Sequence, residues 1–301
     1  MPLDPDYALF ATIAESGSLS AAARALRISP AMASKRLQRL ESRLGVTLVH
    51  RTTRRLALTD AGARFRDDLA DILAALAEAE ARVTGARGEP AGPLRVSAPT
   101  SFGRLHVAPH LAAFLAAYPK IDLTFDLGDH FVDLLGERVD CAIRIAREVP
   151  GNVVAHRLGR SRRVLCAAPA YLARHGAPDA IDGLGGHRLL AADGQMPWRL
   201  VGAGRTVVVE RPSHVRTNSS EMVRELALGG VGIGLRSLWD VGDALRDGRL
   251  VRVLPDWEGS AEVGIYAVHL RSPAVPAAVA AFVAFLDTVI DPARWEAMTP
   301  A

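Results

Sequence analysis

Nine cationic side chains lie between Ser20 and Asp60: Arg24, Arg27, Lys35, Arg36, Arg39, Arg43, Arg51, Arg54 and Arg55. Only Glu41 and Asp60 oppose them, so this stretch carries +7 in a chain whose net charge is +3, and the remainder is net −4. A basic segment on a mildly acidic body suits a polyanionic partner, because cations set against phosphates release condensed counterions. A second group of candidates is uncharged. Thr100-Ser101 and Asn218-Ser219 with Ser220 stand at strand ends just before helical stretches. Helix starts offer unpaired N–H groups and positive potential, so both turns favour a carboxylate or polar oxygen. Arg144, at the end of its own strand, can pair with an anion in the same cleft. The plainer alternatives are a solvated basic face, two ordinary helix caps and a surface ion pair.

Other chemistries find no support in the residue pattern. The nine histidines are scattered without paired metal-ligand spacing, and no phosphate-binding Walker loop or Gly-x-Ser-x-Gly elbow occurs. Gly230, Gly232 and Gly234 precede or lie in a strand, whereas a dinucleotide turn must follow a strand and open a helix. Cys141 and Cys166 are too few for a disulfide scaffold and sit in apolar strands, which reads as packing. No metal and no cofactor are expected, and no enzymatic activity. The start, Met1-Pro2-Leu3-Asp4-Pro5-Asp6, lacks a basic region followed by an apolar stretch, and no apolar run is long enough to span a membrane. A cytoplasmic protein is expected.

The elements that must position the basic residues are helical. Leu3, Tyr7, Phe10, Ile13 and Ala14 recur at helical spacing, and Gly17 ends that pattern. Ser18 can cap a short second helix carrying Leu19, Ala22, Ala23 and Leu26. Ser29-Pro30 is a helix start, and Ala33, Leu37, Leu40 and Leu44 form the expected buried stripe of a third helix. Its opposite face carries Ser34, Lys35, Gln38, Arg39 and Glu41, with Arg36 nearby. Two short helices, a turn and a basic third helix describe a helix-turn-helix, whose third helix enters the major groove by its N-terminal residues, here Pro30, Ala31, Ser34 and Lys35. Val46, Leu48 and Val49, then Leu56 and Leu58, read as two short strands around the tip Arg51-Thr52-Thr53-Arg54-Arg55. That is a wing, and Arg51, Arg54 and Arg55 suit phosphates or a minor groove.

Thr59 then caps a long helix on which Phe65, Leu69, Ile72, Leu76, Ala79 and Val83 form a heptad seam, which predicts pairing with a second copy of the chain. Gly85-Ala86-Arg87-Gly88-Glu89-Pro90-Ala91-Gly92-Pro93 marks a boundary. Beyond it, strands at Leu94–Ala98, Ile121–Leu127 and Cys141–Ile145 alternate with helices at Thr100 onward and around Phe131–Leu135, an α/β pattern with a mainly parallel sheet. A second such set runs from Arg163 through Thr206–Glu210, Val215–Thr217, a helix near Ser219–Leu228 and a strand at Val231–Leu235. A last helix covers Ala277–Val289, and Trp198 reads as packing.

The run Phe10–Ala23, the run Ser29–Glu41, the phrase Leu44–Thr52 and the phrase Leu58-Thr59-Asp60-Ala61-Gly62 together resemble the opening of LysR-type transcriptional regulators. Ala167–Leu172 and Gly229–Gly234 resemble the second subdomain of the same family. One departure stands out: many members carry Gln after the capping Ser, where it reads an adenine edge, and Pro30 occupies that position here. The resemblance implies a fold: an N-terminal all-α winged helix-turn-helix with a linker helix, then a C-terminal α/β periplasmic-binding-protein-like domain of two subdomains. The expected boundaries are 1–60 for the winged domain, 61–91 for the dimerisation helix and hinge, and 92–301 for effector binding. Within the last, subdomain I is about 92–161 and 267–301, and subdomain II about 162–266. The expected partners are double-stranded operator DNA, a small anionic or polar organic effector, a second copy (with a dimer of dimers beyond it) and, for an activator, RNA polymerase. Ser18, Ser29, Pro30, Ala31, Ser34, Lys35, Arg36, Arg51 and Arg54 are the DNA-binding candidates. Thr100, Ser101, Arg144, Asn218 and Ser219 are the effector-binding candidates. The rival reading is a small-molecule-binding or catalytic α/β protein whose basic module serves only oligomerisation.

Overall fold

The computed structural model describes residues 4–51, 56–84, 89–272 and 275–296. The chain divides into two compact units, Met1–Gly88 and Glu89–Ala301.

In the first unit, α1 (Pro5–Ser16) starts at Asp4, whose carboxylate accepts the Asp6 N–H at 2.9 Å, and ends at Gly17 with φ +60°. Helix α2 (Leu19–Ala25) is capped by the Ser18 hydroxyl, which accepts the Ala21 N–H at 3.3 Å. The turn to α3 (Pro30–Leu44) is made at Arg27, held in the left-handed region at φ 54°. The Ile28 N–H donates to the Ala23 carbonyl at 2.9 Å and closes it. Ser29 caps α3, its hydroxyl accepting the Met32 N–H at 3.1 Å, with Pro30 in the first turn where a missing donor is harmless. Leu9, Phe10, Ile13, Ala22, Ala23, Ala33, Leu37 and Leu40 are buried together, and the alanines let the helix backbones approach. Leu44 departs from the expected stripe: it is 37% exposed. It sits in the last turn of α3, where the Gly45 cap turns the chain away.

Strands β1 (Val49–Arg51) and β2 (Leu56–Leu58) pair antiparallel, with Val49 opposite Leu58. Val46 lies outside the strand, and the tip residues Thr52–Arg55 lie outside the described residues. Thr59 then caps α4 (Asp60–Thr84), its hydroxyl accepting the Gly62 N–H at 2.9 Å. A Cβ on Gly62 would lie 2.0 Å from the Leu48 carbonyl oxygen, so only glycine permits this helix start against β1. The heptad seam splits in two. Phe65 packs on Tyr7 and Phe10 at ring distances of 5.7 and 5.2 Å, and Leu69 is buried in the same core. Ile72 and Leu76 are 58% and 40% exposed, while the side chains of Ala79 and Val83 lie outside the described residues.

The second unit opens with β3 (Gly92–Ala98). A continuous helical stretch follows: α5 (Thr100–Phe102), a π-helical turn (Gly103–Val107) and α6 (Ala108–Ala117). Next come β4 (Ile121–Leu127), β5 (Cys141–Ala146) and β6 (Val153–Arg160). The chain then crosses to a second sheet through β7 (Arg163–Ala167), α7 (Pro169–His175), β8 (Leu189–Leu190), β9 (Trp198–Gly202) and β10 (Arg205–Val209). It continues with α8 (Ser220–Leu228), β11 (Ile233–Ser237), α9 (Leu238–Arg246), β12 (Val251–Arg252) and β13 (Glu258–Gly259). It returns to the first sheet as β14 (Gly264–Leu270) and closes that half with α10 (Ala277–Val289) and α11 (Ala293–Glu296).

The first sheet runs β4-β3-β5-β14-β6 and the second β10-β9-β13-β7-β11-β8, with β12 beside β7. Strand β3 is parallel to β4 and β5, but β14 is antiparallel to β5 and β6, so the sheet is mixed rather than mainly parallel. The returning strand enters from the opposite end, which the local pattern does not reveal. Two expected elements are replaced by turns. At Phe131–Leu135 no helix forms, because Asp133 accepts the Leu135 N–H and Glu137 accepts the Asp133 N–H. At Val215–Thr217 no strand forms; Ser213 accepts the Ala191 N–H and donates to the Val215 carbonyl, doing the work of a ladder.

Phe102, Phe114 and Phe282 centre the core of the first half; Tyr171 and Trp198 anchor that of the second. Both cysteines are fully buried in β5 and β7, and burial pushes each thiol up to about 12. No helix among the described residues is long and apolar enough to cross a membrane, and no group of three potential metal ligands occurs among them.

Candidate nucleic-acid interface and ligand cleft

The start of α3 presents an exposed tip and, one turn on, an exposed cation. Pro30, Ala31 and Met32 form its tip, with Met32 47% exposed, and Lys35 is exposed one turn further on. Lys35 and the half-buried Arg36 make no ion pair or hydrogen bond with a described residue, so both cations are available to an outside anion. Ser34 directly precedes them and is half-buried. Apolar atoms beside a cation and a hydroxyl match the mixed donor, acceptor and methyl pattern of a major groove. Met32 was not singled out from the sequence; its spacing resembles that of a core residue, and only its exposure distinguishes it.

The same helix shows which charges serve the fold instead. Arg39 grips Asp6 through two 2.7 Å bonds, tying α3 to α1, and Asp6 is only 2% exposed. Arg43 holds Asp4 at 2.6 Å and lies 4.9 Å over the Tyr7 ring. The Asp6 N–H, and after it that guanidinium, keep the Asp4 carboxyl below its ordinary value. Glu41 accepts the Leu48 and Val49 N–H groups at 2.9 and 3.2 Å and so fixes where the wing begins. Arg39 and Glu41, expected on the outward face, are therefore structural ties. Ser18 and Ser29 spend their hydroxyls as caps, which sets the helix starts they precede. Arg51 ends β1, and Arg54 lies outside the described residues.

In the second unit the two hydroxyl-rich turns come together, and a residue not foreseen brings them there. Asp129, in the turn after β4, accepts the Thr100 N–H on one carboxylate oxygen at 2.9 Å and the Ser220 N–H on the other at 2.6 Å. Thr100 begins α5 beside the first sheet, and Ser220 begins α8 beside the second. Ser219 caps α8, its hydroxyl accepting the Met222 N–H at 3.2 Å, and Asn218 is exposed just before it. Ser101 is buried, and its hydroxyl has no hydrogen-bond partner. The Ser220 hydroxyl accepts from Arg236 at 2.9 Å and from Gln195 at 3.0 Å. Arg236 in turn is ion-paired with Asp240, and both side chains are almost fully buried. Around this centre Arg104 meets Glu221 at 2.5 Å, and Phe102 packs edge-on against Trp239 at 5.2 Å. His106 faces the Trp239 carbonyl at 3.0 Å. Burial holds its imidazole below the ordinary value in spite of that carbonyl.

Arg144 is placed differently from the two turns. It donates to the Val132 carbonyl and lies 4.4 Å over the Phe131 ring, in a site buried enough to lower its pKa. It makes no ion pair with a described residue. A separate cavity of about 350 Å³ opens where the chain crosses between sheets, lined by Arg160, Ser161, Arg162, Glu258, Gly259 and Ala261. Its lining shares no residue with the Asp129 centre, and its Glu258 is already paired with Arg162 at 2.6 Å. Asp129 and Arg104 were the residues that sequence reasoning missed. The Gly128-Asp129 step at the end of an alternating strand was the available signal.

Both units match known proteins. Residues 6–63 match the bacterial regulatory helix-turn-helix protein, lysR family, and residues 87–290 match the LysR substrate binding domain. The chain belongs to the LysR family: it is a DNA-binding transcriptional regulator with a helix-turn-helix and an effector-binding domain, not an enzyme. Its curated relatives include the HTH-type transcriptional activator TtdR of Escherichia coli K12, 38% identical over 276 residues, covering 90% of this chain and 88% of that protein. They also include the HTH-type transcriptional regulator DmlR of the same strain, 37% identical, covering 95% of this chain and 94% of that protein. Among solved structures, the full-length Vibrio cholerae virulence activator AphB superposes with a TM-score of 0.61 at 29% identity, covering 95% of this chain and 99% of that one. CrgA of Neisseria meningitidis gives a TM-score of 0.60 at 30% identity, covering 96% and 99%. The rival reading, a catalytic protein with a merely oligomerising basic module, gives way to these matches.

Proposed function

We propose that the regulator binds operator DNA as a dimer and responds to a small organic acid held between the starts of α5 and α8. The observation that carries the effector reading is the bridging of the Thr100 and Ser220 N–H groups by one carboxylate. Two N–H donors from helix starts beside different sheets, converging on one carboxylate, are the recognition chemistry of a carboxylate ligand. Thr100, Ser101, Asn218 and Ser219 line that place; Arg144 takes the supporting role of fixing the turn around Phe131 and Val132.

At the DNA, Ser34, Lys35 and Arg36 act in the major groove, with Pro30 and Ala31 at the helix tip directly after the capping Ser29, and Ser18 at the start of α2. Arg51 and Arg54 hold backbone or minor groove. Exposed Ile72 and Leu76, one helical turn apart on α4, support pairing with a second copy, which would set two α3 helices on neighbouring half-sites. The domain limits of 1–60, 61–91 and 92–301 follow the same reading.

A thermal-shift comparison of small organic acids with their amides, on the full chain, tests the effector class. A ligand at a hundredfold over its Kd adds about 2.7 kcal/mol to the unit that binds it. An acid is expected to raise the melting temperature where its amide does not. Equal shifts for acid and amide, or none for any acid, would remove the carboxylate from the proposal. For the wing, Arg54→Ala is expected to lower the salt slope of DNA binding by about one unit.

A further inference from the structure

We infer that Asp129 is an internal ligand: its carboxylate occupies the effector's anchoring donors and latches the two halves of the C-terminal unit until an effector carboxylate displaces it. The inference rests on the effector reading above and adds its regulation. Asp129 belongs to the turn after β4, in the first half, yet one of its two bonds reaches the first N–H of α8 in the second. The other goes to the first N–H of α5. Each oxygen thus serves a different half, so the side chain ties the halves together rather than capping one helix.

Three further features fit a displaceable contact. Asp129 is exposed, so water and solutes reach it. Its neighbour Gly128 leaves no side chain in the turn, and a Cβ there would lie 3.0 Å from the His130 ring. Ser101, next to Thr100, is buried with its hydroxyl unpartnered, although buried polar atoms are paired as a rule. Asp129 satisfies the backbone donors and leaves that hydroxyl unmet. A free acid with one more polar atom has something to gain that the internal carboxylate lacks. The Arg104–Glu221 ion pair and the Phe102–Trp239 contact also span the two halves, so loss of the Asp129 bonds loosens the junction without dissolving it.

The test is amide hydrogen exchange at Thr100 and Ser220 in the full chain, with acetate as the probe. Charge-assisted bonds of this kind shift local opening by roughly tenfold or more. In Asp129→Ala both amides are expected to exchange that much faster. Acetate, matched against chloride at constant ionic strength, should restore protection at both sites in the variant and leave the wild type unchanged at the same concentration. Asp129→Asn keeps the size of the side chain while supplying a single acceptor, and should release one amide more than the other. Unchanged exchange in Asp129→Ala overturns the latch. Faster exchange at Thr100 alone overturns it too, since Asp129 would then be a local turn cap. Acetate acting equally on wild type and variant overturns the occupancy. Failure of the organic-acid screen with these exchange results intact would sink the effector reading and leave the bridge standing.

Discussion

At the start of α3, Lys35 and the half-buried Arg36 have no described acceptor, whereas at the start of α8 the Ser220 and Met222 N–H groups are met by the chain itself. The two helix starts share one material, a serine whose hydroxyl accepts a first-turn N–H. One waits for a polyanion too large to be imitated internally. The other is closed by a single aspartate, which under the proposal above stands where the carboxylate of a small acid would sit. A surface for a long rigid polymer is left open, and a pocket for a small molecule can be filled by a side chain that competes for it.

The contrast can be broken from either side. The largest effect is expected in the C-terminal unit. Asp240→Ala strands the buried Arg236 guanidinium and should cost about 3–5 kcal/mol, read by denaturant unfolding. The double change Asp240→Leu with Arg236→Met should recover most of that, since an apolar pair needs no partner. In the N-terminal unit, Gly62→Ala drives a methyl into the Leu48 carbonyl and should cost about 2–3 kcal/mol. DNA binding should be lost with the fold in that variant. Lys35→Ala should do the reverse: stability within about 0.5 kcal/mol of the parent, but DNA affinity lower by roughly tenfold and a salt slope smaller by about one. A stability loss in Lys35→Ala would mean that this cation is spent internally, as Arg39 is.

A smaller effect concerns pH. The folded-state pKa of His106 is depressed, so the folded protein binds fewer protons there than the unfolded chain. The associated stability is present above about pH 6.5 and is lost as pH falls through the folded value. Melting of the C-terminal unit should weaken on acidification, and His106→Gln should flatten that part of the curve. The smallest expected signal is a null one. With both thiols pushed up to about 12, Cys141 and Cys166 should resist a thiol reagent in the native protein and react on unfolding.

The DNA-facing half of this picture was legible in the sequence for a physical reason. Ser29-Pro30, Arg27-Ile28 and Gly45 act locally, so caps, turn and recognition helix follow from neighbours along the chain. What the local pattern could not show was which charges are spent. Arg39 reaches Asp6 and Glu41 reaches Leu48, contacts that depend on how α1 and the wing dock. The ligand cleft is almost wholly of that kind. Thr100 and Ser219 were legible as helix starts, but their meeting depends on Asp129, and Ser220 lies 91 residues beyond it. The turns at 131–135 and 215–217 misled because Asp133, Glu137 and Ser213 capture backbone groups that a periodicity count assigns to helix or strand.

The most direct measurement is footprinting of the full chain on the DNA upstream of its own gene, repeated at rising salt for wild type and Lys35→Ala. The expected result is one protected stretch with two half-sites about a helical turn apart, affinity falling linearly on a log–log salt plot, and a slope shallower by about one in the variant. No protected stretch at low salt, from a chain whose N-terminal unit is folded by amide exchange, would contradict the account.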